Sequence, residues 1–167
     1  MKVIRHFQTF LLIALGLSVG SALATPKDAI CSNLAAFASA SVAEESHPIV
    51  LRGGWGGDAE DTIMTHECRH SGYEPGKKLC AYLLPNSSWE FGAHNAERAA
   101  ACLDSMDSKR FLDELSSGTS PTEITSSLKL LKDKQVLVTL RFEPPLATAK
   151  PPSGISTLTI SAVRAVK

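Results

Sequence analysis

After an almost uninterrupted apolar run from Phe10 to Val19, the chain settles into short amphipathic segments punctuated by glycine, proline and serine. Ile30, Leu34 and Phe37 recur at helical spacing, with Cys31 beside them. Thr25-Pro26-Lys27-Asp28 ahead of them supplies a capping hydroxyl, a first-turn proline and a carboxylate at the positive end of a helix. His47 to Trp55 reads as a strand around Val50 and Leu51, and Gly53-Gly54 and Gly56-Gly57 frame Trp55. No GKS or GKT follows these glycines, so they are not a phosphate loop. If Met64 to His70 is also a strand, His66, Cys68 and His70 share one face, and Glu67 and Arg69 share the other.

Glu74 to Leu84 predicts a helix opened by Pro75 and ended by Pro85, with Leu79, Cys80, Leu83 and Leu84 inward. Ser87-Ser88-Trp89-Glu90 has the order of a capping box, so a second helix is expected from Ser87 to about Asp104, with Gly92, Ala96, Ala99 and Leu103 as its narrow stripe. That helix would set Glu90 and His94 one turn apart. A short helix follows over Ser108 to Ser116, and Ser120-Pro121-Thr122-Glu123 reads as the start of a last helix through Ile124, Leu128 and Leu131, with a strand at Leu128 to Leu131 as the alternative. Val136 to Phe142 alternates as a strand. A proline-rich loop from Glu143 to Gly154, with Lys150 near its tip, is a possible binding edge and leads to a terminal strand from Ser156 to about Val166. The last two strands should pair antiparallel. The whole predicts an α+β domain: a disulfide-linked helical unit packed against a small, mainly antiparallel sheet.

The amino-terminal pattern places this domain. Lys2 and Arg5 precede the apolar run and Ala22-Leu23-Ala24 follows it, the arrangement of a cleaved export signal. The run is about ten residues long, whereas a spanning helix needs about 20. Residues 1–24 are therefore expected as signal peptide and 25–167 as a single exported domain, periplasmic or secreted, with no transmembrane segment after cleavage. Of the 167 residues, 143 would remain, with 15 basic and 17 acidic side chains. This balance gives no reason to expect nucleic acid as a partner. The charge is uneven: residues 25–128 carry eight basic and 15 acidic side chains, and 129–167 carry seven basic and two acidic.

An even count of four cysteines in an exported chain reads as two disulfides. Cys80 and Cys102 would sit about 16 Å apart in a simple helical hairpin, beyond disulfide reach, which favours Cys68 with Cys80 and Cys31 with Cys102. No CxxC pair supports a zinc site.

Chemistry-bearing motifs are sparse. His66-Glu67-Cys68-Arg69-His70 has the letters HExxH, but that motif works on a helix, and in a strand it gives no argument for a metallopeptidase. No GxSxG or SxxK supports a serine nucleophile. Glu67 with Glu90 is the choice of paired carboxylates for a small cell-wall hydrolase, and nothing local fixes their separation. His47, His66 and His70 could gather in a metal-binding periplasmic protein if their two strands pair, with His94, Asp58 or Glu90 as other possible ligands. Neither a catalytic residue nor a cofactor is assigned. The preferred reading is an exported, disulfide-stabilised protein that binds an envelope or extracellular protein, such as an enzyme inhibitor or immunity protein. Its expected contact residues are Trp55, His66, Glu67, Arg69, His70 and Tyr73, an aromatic anchor with adjoining charges.

Overall fold

The computed structural model describes residues 29–42, 44–57, 59, 61–104, 108–145 and 154–165. The leader, the cap at Thr25–Asp28 and Lys150 lie outside the described residues. In chain order the elements are α1 (Ile30–Ser39), β1 (Ile49–Trp55), β2 (Met64–Arg69), α2 (Glu74–Asn86), α3 (Gly92–Ala100), α4 (Ser108–Ser117), β3 (Thr122–Ser126), β4 (Val136–Glu143) and β5 (Ser156–Arg164).

The five strands form one sheet in the order β2-β1-β5-β4-β3, every neighbouring pair antiparallel. Side chains alternate across a strand, so one face collects Ile49 and Leu51, Val136, Val138, Leu140 and Phe142, and Leu158, Ile160 and Ala162, all buried. The helices cover this face with Leu34, Phe37, Leu79, Leu83, Ala96, Ala99, Phe111 and Leu115, making one core. The opposite face carries hydroxyls and ion pairs. Thr125 and Thr139 meet across β3 and β4 at 2.8 Å, and Arg141 lies between Glu143 at 2.9 Å and Glu123 at 3.9 Å.

Two covalent links hold the helical layer in place, one within it and one to the sheet. Cys31–Cys102 joins α1 to the turn after α3, and Cys68–Cys80 joins β2 to α2, the pairing favoured on helix geometry. Gly76 lets α2 close on β1, because a Cβ there would come within 2.9 Å of Ile49 Cγ2. Pro85 lies inside the final turn of α2 rather than ending it, and Asn86 Nδ2 donates to the Tyr82 carbonyl at 2.7 Å.

Two expected elements differ. The helix expected at Ser87 begins at Gly92 and ends at Ala100, and the reciprocal Ser87–Glu90 cap does not form. Instead Ser88 Oγ accepts from the Phe91 amide at 2.9 Å, while the Asn95 side chain accepts from the Ser88 amide at 2.9 Å and donates to its carbonyl at 2.6 Å. The segment 87–91 is thus a folded-back loop. The helix expected from Ser120 is the strand β3, with Thr122 and Ile124 inward and Glu123 and Thr125 outward. β-branched residues at alternate positions, with a neighbour strand available, outweigh the local start signal. Leu128 reaches the core through a bridge to Leu103 rather than from a helix or a longer strand.

Candidate functional site

The sheet ends in an unusual concentration of exposed apolar surface where β1 finishes, β2 starts, β4 finishes and β5 starts. Trp55 closes β1 and stands opposite Met64, the first residue of β2. Trp55 is 54% exposed, Met64 46%, Ile63 77% and Phe91 65%. The Trp89 ring meets Trp55 edge to face, with centroids 4.9 Å apart. Such a pair contributes about 0.5–1.5 kcal/mol beyond its buried area, enough to orient both indoles.

Glycine makes this arrangement possible. A Cβ on Gly53 would lie 2.7 Å from the Trp89 carbonyl oxygen and 2.9 Å from its Cα, so the loop carrying Trp89 rests directly on the β1 backbone. Gly54, with φ +149°, meets Gly154 in the same way, and the Gly154 amide donates to the Trp55 carbonyl at 2.9 Å. The connection from β1 to β2 is pinned as well: Gly56 N donates to Ile63 O at 2.9 Å, and Thr65 Oγ1 donates to Gly56 O at 2.7 Å. On the other side, Asn95 (3% exposed) holds Ser88 from α3, and Arg98 donates to the Asn86 carbonyl at 2.5 Å. The aromatic residues therefore sit on a frame fixed from both flanks.

Beside this cluster runs an open groove of about 460 Å³, walled by Phe91, Ala93 and His94 on one side and Phe142, Pro144 and Gly154 on the other. Its lining is mainly apolar, with Glu90 and His94 at the rim. The one-turn pairing of Glu90 with His94 is lost because Glu90 precedes the helix; His94 Nδ1 instead approaches Glu97 Oε2 at 3.4 Å.

The six residues expected at a contact surface fall in three places. Trp55 lies in the exposed cluster, and His66 lies near it with Nε2 3.2 Å from Ser87 Oγ. Glu67 and Arg69 point to the other face of the sheet, where Glu67 Oε1 takes both Arg52 and Arg69 at 2.7 Å. His70 and Tyr73 pack at the far end of β2. Tyr73 stacks on His47 at 4.3 Å, meets Phe37 edge-on at 6.0 Å and donates to Ala40 O at 3.2 Å. His70 Nδ1 is buried without a hydrogen-bond partner among the described residues. Met64 to Arg69 spans roughly 16 Å, so the six do not form one patch. Ile63, Met64, Trp89 and Phe91 were not among the expected contact residues, although Trp89 and Phe91 are aromatic and adjoin a serine-rich turn.

A three-histidine site does not assemble. The β1–β2 pairing sets Gly53 against His66, leaving His47 roughly 20 Å along the strand direction. His66 and His70 share a face but are four strand residues apart, not adjacent as on a helix. Among the described residues, no group of three or more His, Cys, Asp or Glu side chains could hold a metal ion. Glu67 and Glu90 likewise serve different faces, Glu67 in its arginine pairs and Glu90 at the groove. Also among the described residues, no helix is long and apolar enough to cross a membrane. Compared with known proteins, the chain matches no family model, no curated protein and no solved structure.

Proposed function

We propose that this chain is an exported protein-binding domain of the inhibitor or immunity type, and that the sheet end bearing Trp55, Ile63, Met64, Trp89 and Phe91 is its contact surface. The carrying observation is that four large apolar side chains are about half or more exposed at one end of the sheet, Trp55 and Met64 as cross-strand partners, on a backbone frame held by glycine contacts and by Asn95. Keeping such surface in water costs roughly 25 cal/mol per Å² of apolar area, and contiguous exposed patches of this kind mark interaction sites. Aromatic anchors on a fixed frame lose little conformational freedom on binding, so they concentrate affinity. The two disulfides suit an oxidising compartment, in keeping with the export signal read at residues 1–24.

The test is capture of partners from an envelope or secreted fraction by the oxidised protein lacking residues 1–24, followed by calorimetry with the purified partner. Trp55→Ala should weaken binding at least tenfold, whereas Arg141→Ala, on the hydroxyl-rich face, should leave it unchanged. Equal loss in both variants, or release of fragments from cell-wall polymer without any protein partner, would overturn the proposal.

A further inference from the structure

The groove beside the tryptophans points to the chemistry of the partner. In the described parts of the two segments that build this end of the molecule, from Gly53 to His66 and from Asn86 to Glu97, the acidic side chains are Asp61, Glu90 and Glu97, with no lysine or arginine. Glu90 stands exposed at the groove rim, and no described residue pairs with its carboxylate. Of the described basic residues of the carboxy-terminal part, Lys134 pairs with Asp104 at 2.6 Å, Arg164 pairs with Asp133, Arg141 pairs with Glu143 at 2.9 Å, and Lys129 donates to the Ala101 carbonyl at 2.8 Å. Among the described residues, this end is thus apolar and carries three carboxylates, with Arg98 turned to the Asn86 carbonyl. The groove volume lies within the roughly 300–1,000 Å³ range of ligand pockets, ample for one large side chain, and its walls are aromatic rings and proline.

We propose that this groove receives an aromatic or large aliphatic side chain from a surface loop of a protein partner, and that a lysine or arginine next to it in that loop pairs with Glu90. This rests on the protein-binding reading above and names the partner's chemistry: a basic surface with an apolar knob. Phe91 grips the knob, with Pro144 and the buried Phe142 ring lining the groove behind it. The excess of carboxylates draws a cationic partner towards this end and repels an acidic one.

The probe is a blocked five-residue peptide, Gly-Lys-Phe-Lys-Gly, titrated into the oxidised, isotopically labelled protein lacking residues 1–24 and followed by amide NMR. Two relatives serve as comparisons: one with glutamates for the lysines, one with serine for the phenylalanine. The lysine–phenylalanine peptide should shift amides at 91–94, 142–143 and 154–156 and bind at least fivefold more tightly than either relative. Glu90→Gln should weaken it at least threefold and Phe91→Ala at least fivefold, with far-ultraviolet circular dichroism unchanged; raising salt should weaken it further. Equal binding of the lysine and glutamate peptides, shifts elsewhere on the surface, or indifference to both substitutions would overturn the proposal. The two readings separate cleanly. A protein partner lost with Trp55→Ala but retained by Glu90→Gln would keep the contact surface and sink the groove assignment, and groove binding with a Trp55-independent partner would do the reverse.

Discussion

Gly53→Ala tests whether the Trp89 loop truly rests on β1. The new methyl group would sit 2.7 Å from the Trp89 carbonyl oxygen, 2.9 Å from its Cα and 3.1 Å from its carbonyl carbon, all backbone atoms that no rotamer change can move. The loop cannot retreat freely, since Asn95 holds both polar groups of the Ser88 backbone. Overpacking of this kind costs about 1–3 kcal/mol. With a urea dependence of about 2 kcal/mol per molar, the unfolding midpoint should fall by about 0.5–1.5 M. The chain has two tryptophans, Trp55 and Trp89, and they contact each other, so the near-ultraviolet circular dichroism of the indoles reports on this one junction. The band should change in Gly53→Ala even in the fully folded protein. Gly72→Ala is the comparison: its φ of +79° makes a side chain unfavourable by about 1–2 kcal/mol, yet no atom lies within 4 Å of the added Cβ, so stability should fall with the tryptophan band intact. A Gly53→Ala protein with an unchanged midpoint and an unchanged tryptophan band would refute the close packing of loop on strand.

The remaining expectations concern what holds the frame. Replacing Cys31 and Cys102 together by alanine removes a link across 71 residues and should cost about 4 kcal/mol, against about 3 kcal/mol for the Cys68–Cys80 pair across 12, an ordering readable from urea midpoints of the two double variants. Asn95→Ala strips two hydrogen bonds from the Ser88 backbone and should cost about 1–3 kcal/mol in thermal unfolding, while also altering the tryptophan band. The Asp133 carboxyl titrates below its usual value of 3.8, held down first by the Gln135 amide and then by Arg164. A depressed folded-state value contributes stability above pH 3.8 that disappears as pH falls through the lowered value, so the stability difference between the native chain and Asp133→Asn should shrink on acidification through that window.

Much of the fold was legible because burial follows a period. Val136, Val138, Leu140 and Phe142 alternate as strand residues must, and all four lie in the core. The disulfides were partly legible for a related reason: helical rise makes Cys80 and Cys102 too distant, which removes one of the three connectivities, and the pairs observed are one of the two that remain. The two misread segments share a cause. Ser87–Glu90 and Ser120–Glu123 both carry hydroxyl and carboxylate at capping spacing, and such a signal is worth about 1 kcal/mol, less than a tertiary contact can offer. Asn95 takes the serine turn in the first case. In the second, pairing with β4 takes the strand.

Of the proposed contact surface, the sequence singled out Trp55 alone. Trp55 in its glycine frame stands out in the sequence, but the densest polar cluster, His66 to His70, drew attention to residues whose groups the fold consumes: Glu67 in two arginine pairs, Cys68 in a disulfide. Sequence adjacency along a strand separates neighbours onto opposite faces, and five residues carry the chain from one end of the sheet to the other. What gathers instead comes from distance. Trp89 arrives 34 positions after Trp55, and Gly154 another 65 after that, because β5 pairs with β1 and the α2–α3 connection folds back over Gly53. The missing signal was the partner of the glycines. In the sequence Gly53 and Gly54 stand out only as a frame for Trp55, whereas they are the spaces into which two remote backbones fit, and it is those backbones that carry the second tryptophan and one wall of the groove.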